Sequence, residues 1–150
     1  MKYLGIDYGT KKIGLAISDA RGLIAFPKII IPSNNTSIDE IAKMINDEGI
    51  EKIVIGYSVG MDGSENSVQK KIDVFQRTLA EKTGIIIDRE KEWMSSVAAR
   101  SHLYGKGNIA NEQWSEKQNT KRREDVDAGA AAIILQRYLD KNLHQKTRKL

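Results

Sequence analysis

Acidic residues recur at three places in this chain where their setting gives them chemical meaning: Asp7, the stretch Asp88-Arg89-Glu90-Lys91-Glu92, and Asp127. Asp7 interrupts an otherwise apolar run, Tyr3-Leu4-Gly5-Ile6-Asp7-Tyr8. A carboxylate at the inner end of a buried strand is costly unless it is paired, hydrogen-bonded or bound to a metal. Taken alone, Asp7 also suits the cap of the turn at Gly9-Thr10. Asp127 opens the Ala-rich segment Asp127-Ala128-Gly129-Ala130-Ala131-Ala132. A negative charge in a first helical turn is favoured by the helix dipole, and the small residues after it would let the helix lie close against a sheet. In the third stretch, Asp88, Glu90 and Glu92 share one face of an extended chain. If that strand lies beside the first, one glutamate can meet Asp7.

Carboxylates gathered at one point repel one another, and a divalent cation relieves the repulsion. An all-oxygen donor set suits Mg²⁺ or Mn²⁺. Two such ions, roughly 4 Å apart, can activate a water and stabilise the oxygen that departs from a phosphodiester. The histidines, His102 and His144, have neither the spacing of a zinc hydrolase nor a serine partner. With no cysteine in the chain, disulfides and thiolate metal sites are excluded.

The elements that would position these groups follow from periodicity. Tyr3–Tyr8 reads as a buried strand, and Ile13, Leu15 and Ile17 alternate with small residues as a second, joined to it by the turn Gly9-Thr10-Lys11-Lys12. A third strand, from about Ala25 to Ile31, carries Pro27 and stops at Pro32, as an edge strand can. Ile38, Ile41, Ala42 and Ile45 then recur at helical spacing, with Ser37 and Glu40 forming a Ser-x-x-Glu capping box and Gly49 ending the helix. Lys52–Tyr57 is a buried strand, and Val68, Ile72, Phe75 and Leu79 mark a second helix closed by Gly84. A fifth strand begins at Ile85-Ile86-Ile87, and a third helix is expected from Ser95 or Ser96 to Gly105. The last helix is expected from about Asp125, with Ala130, Ala131, Ile134, Leu135, Tyr138 and Leu139 on its apolar side. The predicted order is β-β-β-α-β-α-β-α-α, one domain over residues 1–150.

A chain of 150 residues with 40% hydrophobic and 29% charged residues is that of an ordinary globule. No apolar run reaches the roughly 18–20 residues needed to cross a bilayer, and the N-terminus meets Asp7 before a signal-peptide core can form. A cytoplasmic protein without membrane contact is expected. The formal net charge of +4 fits a polyanionic partner weakly. Its distribution says more: a polar, aperiodic stretch, residues 105–123, is expected to be a flexible basic loop carrying Lys106, Lys117, Lys121, Arg122 and Arg123. Trp114 in that stretch could stack on an unpaired base. A basic tail, residues 141–150, follows the last acidic residue, Asp140. Lys11 and Lys12, in the turn after Asp7, add cations close to the acidic site.

These residues also resemble a known family. The opening Leu4-Gly5-Ile6-Asp7-Tyr8-Gly9-Thr10-Lys11-Lys12-Ile13-Gly14-Leu15-Ala16-Ile17-Ser18-Asp19 closely resembles that of the YqgF family, whose members are described as RuvX-like Holliday junction resolvases or as nucleases maturing the 5′ end of pre-16S ribosomal RNA. Ile53–Ser58 with Met61–Glu65, then Glu92-Trp93-Met94-Ser95-Ser96-Val97-Ala98-Ala99, and finally Asp127 through Leu139, match its further segments in order. The resemblance implies a ribonuclease H-like α/β fold: a five-stranded mixed sheet, three antiparallel strands then two parallel, flanked by helices. It implies that Asp7, Glu92 and Asp127 bind metal, Asp7 and Asp127 holding the catalytic ion and Glu92 completing the cage. It further implies Mg²⁺ or Mn²⁺ as cofactor, two ions with substrate bound, and nucleic acid as partner, RNA favoured and structured DNA an alternative, with ribosomal precursor particles a further one. A monomer or weak dimer would suffice.

Lys91-Glu92-Trp93 stands where the family has Asp-Glu-Arg, and Ser58 where it has a loop proline. Counting from the apolar strand at Ile85 selects Glu90 as the third carboxylate, whereas counting from Val97 selects Glu92. Two other functions compete. Asp7-Tyr8-Gly9-Thr10 also resembles the phosphate loop of actin-like and sugar-kinase ATPases, but those need a second lobe that 150 residues cannot supply. The other is a nucleic-acid-binding or ribosome-associated module that keeps the fold without turnover.

Overall fold

The computed structural model describes residues 1–58, 67–92 and 116–147. Strands β1 (Tyr3–Tyr8), β2 (Lys12–Ser18) and β3 (Ala25–Pro32) form a meander, followed by α1 (Ser37–Glu48), β4 (Lys52–Ser58), α2 (Ser67–Thr83), β5 (Ile87–Glu92) and a long α3 (Glu116–Thr147). The five strands make one sheet in the order β3-β2-β1-β4-β5. β1 pairs antiparallel with β2 and parallel with β4, and β5 runs parallel to β4. This is the mixed sheet expected from the resemblance. Pro27 and Pro32 do lie on the edge strand, where a missing N–H costs no ladder bond.

β1 is covered on both faces, and its alternation divides the work. Leu4 and Ile6 point to one side, where Ile13, Leu15, Ile53 and Ile55 meet Ile41 and Ile45 of α1 and Ile72, Phe75 and Leu79 of α2. On the other side Ala16 and Val54 meet Ala131, Ile134, Leu135 and Leu139 of α3. Each fully buried Leu or Ile contributes about 1.5–3 kcal/mol, so the two cores hold the sheet between helices. The small residues predicted to bring the last helix close do so: a Cβ on Gly5 would come within 2.7 Å of Leu135 Cβ and 3.0 Å of the Ala131 carbonyl oxygen.

Two local expectations change. The N-cap of α1 is Thr36, not Ser37. Thr36 Oγ1 donates to Glu40 Oε1 at 2.8 Å, while the buried Ser37 hydroxyl turns back to the Pro32 carbonyl at 2.8 Å. The same hydroxyl lies 2.9 Å from the Asn34 carbonyl, so the serine serves the loop before the helix rather than the helix end. Gly49 ends the helix as expected, in the left-handed region at φ 64°.

The last helix begins at Glu116 rather than near Asp125. The backbone of residues 116–123, expected as loop, is therefore helical, and so is the expected tail as far as Thr147. The segment has no apolar stripe, but Glu, Lys, Gln and Arg are strong helix formers and extend a helix once a packed portion nucleates it. The expected helix between Ser95 and Gly105, and the remaining loop 105–115 with Trp114, lie outside the described residues. No helix among the described residues is long and apolar enough to cross a membrane.

Candidate active site

Asp7 stands near the C-terminal end of the central strand, half-buried. By strand alternation its side chain rises on the same face as Tyr3 and Gly5, the face covered by α3. Its register partners are Gly14 on β2 and Gly56 on β4. No side chain rises beside the carboxylate from either flanking strand, so its surroundings on this face come from α3 and from the strand ends.

The acidic stretch forms β5 and obeys the alternation expected of it. Asp88 and Glu90 both turn toward α3. Asp88 accepts a hydrogen bond from the Tyr138 hydroxyl and lies 2.7 Å from Lys52 Nζ. Burial would raise this carboxyl, but the hydrogen bonds from Lys52 and Tyr138 outweigh it and hold the group below its ordinary range. The same contacts with Asp88 and Tyr138 raise Lys52. Asp88 thus belongs to a closed local network. Glu90 is only 5% exposed and is ion-paired with Lys141 of α3.

Glu90 pairs in register with Gly56, which pairs with Asp7. Asp7 and Glu90 therefore occupy one row of the sheet, two strands and about 10 Å apart. Glu92 lies one same-face step further along, paired with Ser58. α3 runs antiparallel to β1 here: Tyr138 lies against Tyr3 with ring centroids 6.0 Å apart, and Ala131 and Leu135 lie against Gly5. That direction carries the backbone of Asp127 toward Asp7's end of β1. The side chains of Glu92 and Asp127 lie outside the described ones. Among the described residues no group of three His, Cys, Asp or Glu side chains converges as a metal site. The candidate donors are all carboxylate oxygens, a set whose chemistry fits a hard divalent cation.

Among the predicted cations, Lys11 is exposed in the turn that follows Asp7 and Lys12 is exposed at the start of β2. Lys121, Arg122 and Arg123 have their backbone on α3, with side chains outside the described ones, and Trp114 is outside altogether. Sequence reasoning missed the role of Lys141, read there as part of a basic tail. Its partner is 51 positions away, and no local signal links them. Removing the cation should be felt. Lys141→Met should cost about 1–3 kcal/mol in urea unfolding, because a buried carboxylate loses its partner. Adding Glu90→Gln should return most of that loss. An unchanged midpoint in Lys141→Met would show that the pair contributes nothing.

Comparison with known proteins bears on the family and the fold. A family model described as RuvX, Holliday junction resolvase, matches residues 1–141. A protein of Syntrophus aciditrophicus named "Putative pre-16S rRNA nuclease" is 37% identical over 142 residues, covering 93% of this chain and 89% of that one. One of the same name from Maridesulfovibrio salexigens is 33% identical over 141 residues, covering 93% and 98%. Among solved structures, Thermus thermophilus RuvC in complex with Holliday junction substrate aligns with a TM-score of 0.56 at 13% identity, covering 95% of this chain and 96% of that one. The Fowlpox virus resolvase bound to Holliday junction DNA aligns at 0.57 and 13%, covering 95% and 99%. At such low identity these two share the fold with this chain, and the expected ribonuclease H-like architecture is the one observed.

Proposed function

The chain belongs to the RuvX family, described as Holliday junction resolvase, and from that premise we propose that it is a divalent-metal-dependent nuclease whose principal task is maturing the 5′ end of pre-16S ribosomal RNA. The observation that carries the reading is Asp7, held at the end of the central strand between Gly14 and Gly56. The names of the relatives support RNA as substrate, and structured DNA is the second substrate to test.

In this reading Asp7 and Asp127 hold the catalytic ion and Glu92 completes its carboxylate set. The ion pair between Glu90 and Lys141 supports choosing Glu92 over Glu90 for that set. Bound Mg²⁺ or Mn²⁺ would supply Lewis acidity at the scissile phosphate and lower the pKa of an attacking water. The protein's own contribution is orientation and charge. Lys11 and Lys12 meet the phosphates flanking the scissile bond, and Lys121, Arg122 and Arg123 extend that track along α3. Trp114 stacks on an unpaired base. A cytoplasmic protein acting on ribosomal precursor particles, as a monomer or weak dimer, completes the proposal.

The test is a cleavage assay on an RNA carrying the 16S 5′ leader, beside single-stranded DNA and a four-way DNA junction. Cleavage of the leader is expected with Mg²⁺ or Mn²⁺ and should stop when EDTA is added. Binding of all three without cleavage, at any concentration of either metal, would favour the module that keeps the fold without turnover.

A further inference from the structure

On the opposite side of the sheet from Asp7, a cleft of about 530 Å³ lies at the same strand end, between the loop before α1 and the outer face of α2. Tyr8, the residue after Asp7, points into it because alternation turns successive side chains to opposite faces. Its ring packs on Phe75, with centroids 4.9 Å apart. Asn34 lines the rim in a fixed orientation. Its Oδ1 accepts from the Thr36 N–H at 2.9 Å and from the Thr36 hydroxyl at 2.7 Å, which turns the amide N–H groups away from that helix end. Lys70 and Lys71 face the cleft from α2, and no carboxylate of the described residues lines it. Neither lysine has an ion-pair partner among the described residues.

We propose that this cleft is a binding subsite for an unpaired nucleotide of the substrate strand, next to the scissile phosphate. It rests on the nuclease reading above and says how that site selects its substrate. The cleft combines the three groups such a ligand needs: an aromatic ring for the base, amide donors for the base edge, and two adjacent cations for a phosphate. Its size is that of a small-ligand site. The opposite sheet face carries Asp7, Asp88 and Glu90, whereas the charged residues described as lining this cleft, Lys70 and Lys71, are positive toward an incoming polyanion. A strand passing over the end of β1 would set one nucleotide beside Tyr8 and a neighbouring phosphate beside Asp7. A base stacked and paired within a continuous duplex has its faces and edge already occupied, so the cleft favours single-stranded substrate.

The experiment measures binding by fluorescence anisotropy, in chelator so that nothing is cut, with three labelled probes: a twelve-nucleotide single-stranded RNA, the same sequence as DNA, and a blunt RNA duplex. The wild type should prefer the single strands. A variant carrying Lys70→Gln and Lys71→Gln should bind them about tenfold more weakly, with a salt slope shallower by about 0.7, one phosphate's share. Its affinity for the duplex should change less than twofold. Tyr8→Leu, which retains an apolar side chain against Phe75, should also lose about tenfold on single strands while leaving the salt slope alone. Lys43→Gln, on the far part of α1 and paired with Asp47, serves as the control and should change nothing. Equal losses on duplex and single strands, or an unchanged slope in the lysine variant, would overturn the subsite. An RNA-only or DNA-only loss would support it and name the sugar it accepts. Should the wild type cut no substrate while these binding differences persist, the nuclease reading fails and the subsite stands.

Discussion

Asp7→Asn should lower cleavage of the leader RNA at least about a thousandfold, equivalent to about 4 kcal/mol of transition-state stabilisation. Asparagine has the size of aspartate, so the packing of β1 between its two cores should persist, and the thermal melt should move little. What changes is charge. The flanking strands offer only Gly14 and Gly56 at this level, so neither can supply a replacement carboxylate. The neighbouring acidic residues separate two explanations. Asp88 is tied to Lys52 and Tyr138, and Glu90 to Lys141. Glu90→Gln should therefore leave metal-dependent cleavage within a few-fold of the wild type, and Glu92→Gln should remove it. Asp7→Asn protein that cuts as fast as the wild type would mean that the activity lies elsewhere or in a contaminant. A Glu90→Gln variant as inactive as Asp7→Asn would move the third ligand to Glu90.

The second large effect concerns how closely α3 lies on the sheet. Gly5→Ala should destabilise the protein by about 2 kcal/mol net, measured by urea unfolding. The added methyl would stand 2.7 Å from Leu135 Cβ and 3.0 Å from the Ala131 carbonyl oxygen. Both atoms are fixed to the helix, so relief requires the helix itself to lift. Overpacking of this kind costs about 1–3 kcal/mol, offset by the roughly 0.4–1 kcal/mol that alanine gains by restricting the unfolded chain. Gly56→Ala should also be felt: its methyl would meet Ile134, 2.4 Å from Cδ1, 3.1 Å from Cγ1 and 3.3 Å from Cγ2 of a fully buried, β-branched side chain. Activity should fall with stability, since α3 carries Asp127 and a misplacement of about 1 Å can cost a hundredfold in rate. An unchanged urea midpoint in Gly5→Ala would refute a helix seated rigidly on Gly5.

The fold was legible to different depths in different segments. Short apolar, β-branched runs give away β1 and β4, alternation gives away β2, and helical spacing gives away α1 and α2, because each pattern records how a single element is buried. The start of α3 escaped the same reading. Periodicity points near Asp125, yet the helix begins at Glu116, since the added turns are polar and their signal is propensity rather than a stripe. Ser37 reads as a cap because Ser-x-x-Glu is a local pattern, but the hydroxyl answers to Pro32, outside the helix.

The site divides along the same line. Sequence alone determined that Asp7 interrupts a buried strand, that Asp88, Glu90 and Glu92 alternate onto one face, and that small residues after Asp127 permit a close approach, since each depends only on neighbours along the chain. Tertiary structure alone decided which of those carboxylates are neutralised. Lys52, Tyr138 and Lys141 reach β5 from other elements, and a charge's partner is set by distance in space. It likewise decided that Tyr8 shares a cleft with Lys70 and Lys71. One residue's step along β1 separates Asp7 from Tyr8, and the pleat sends them to opposite faces, but what each face contains depends on how the helices pack.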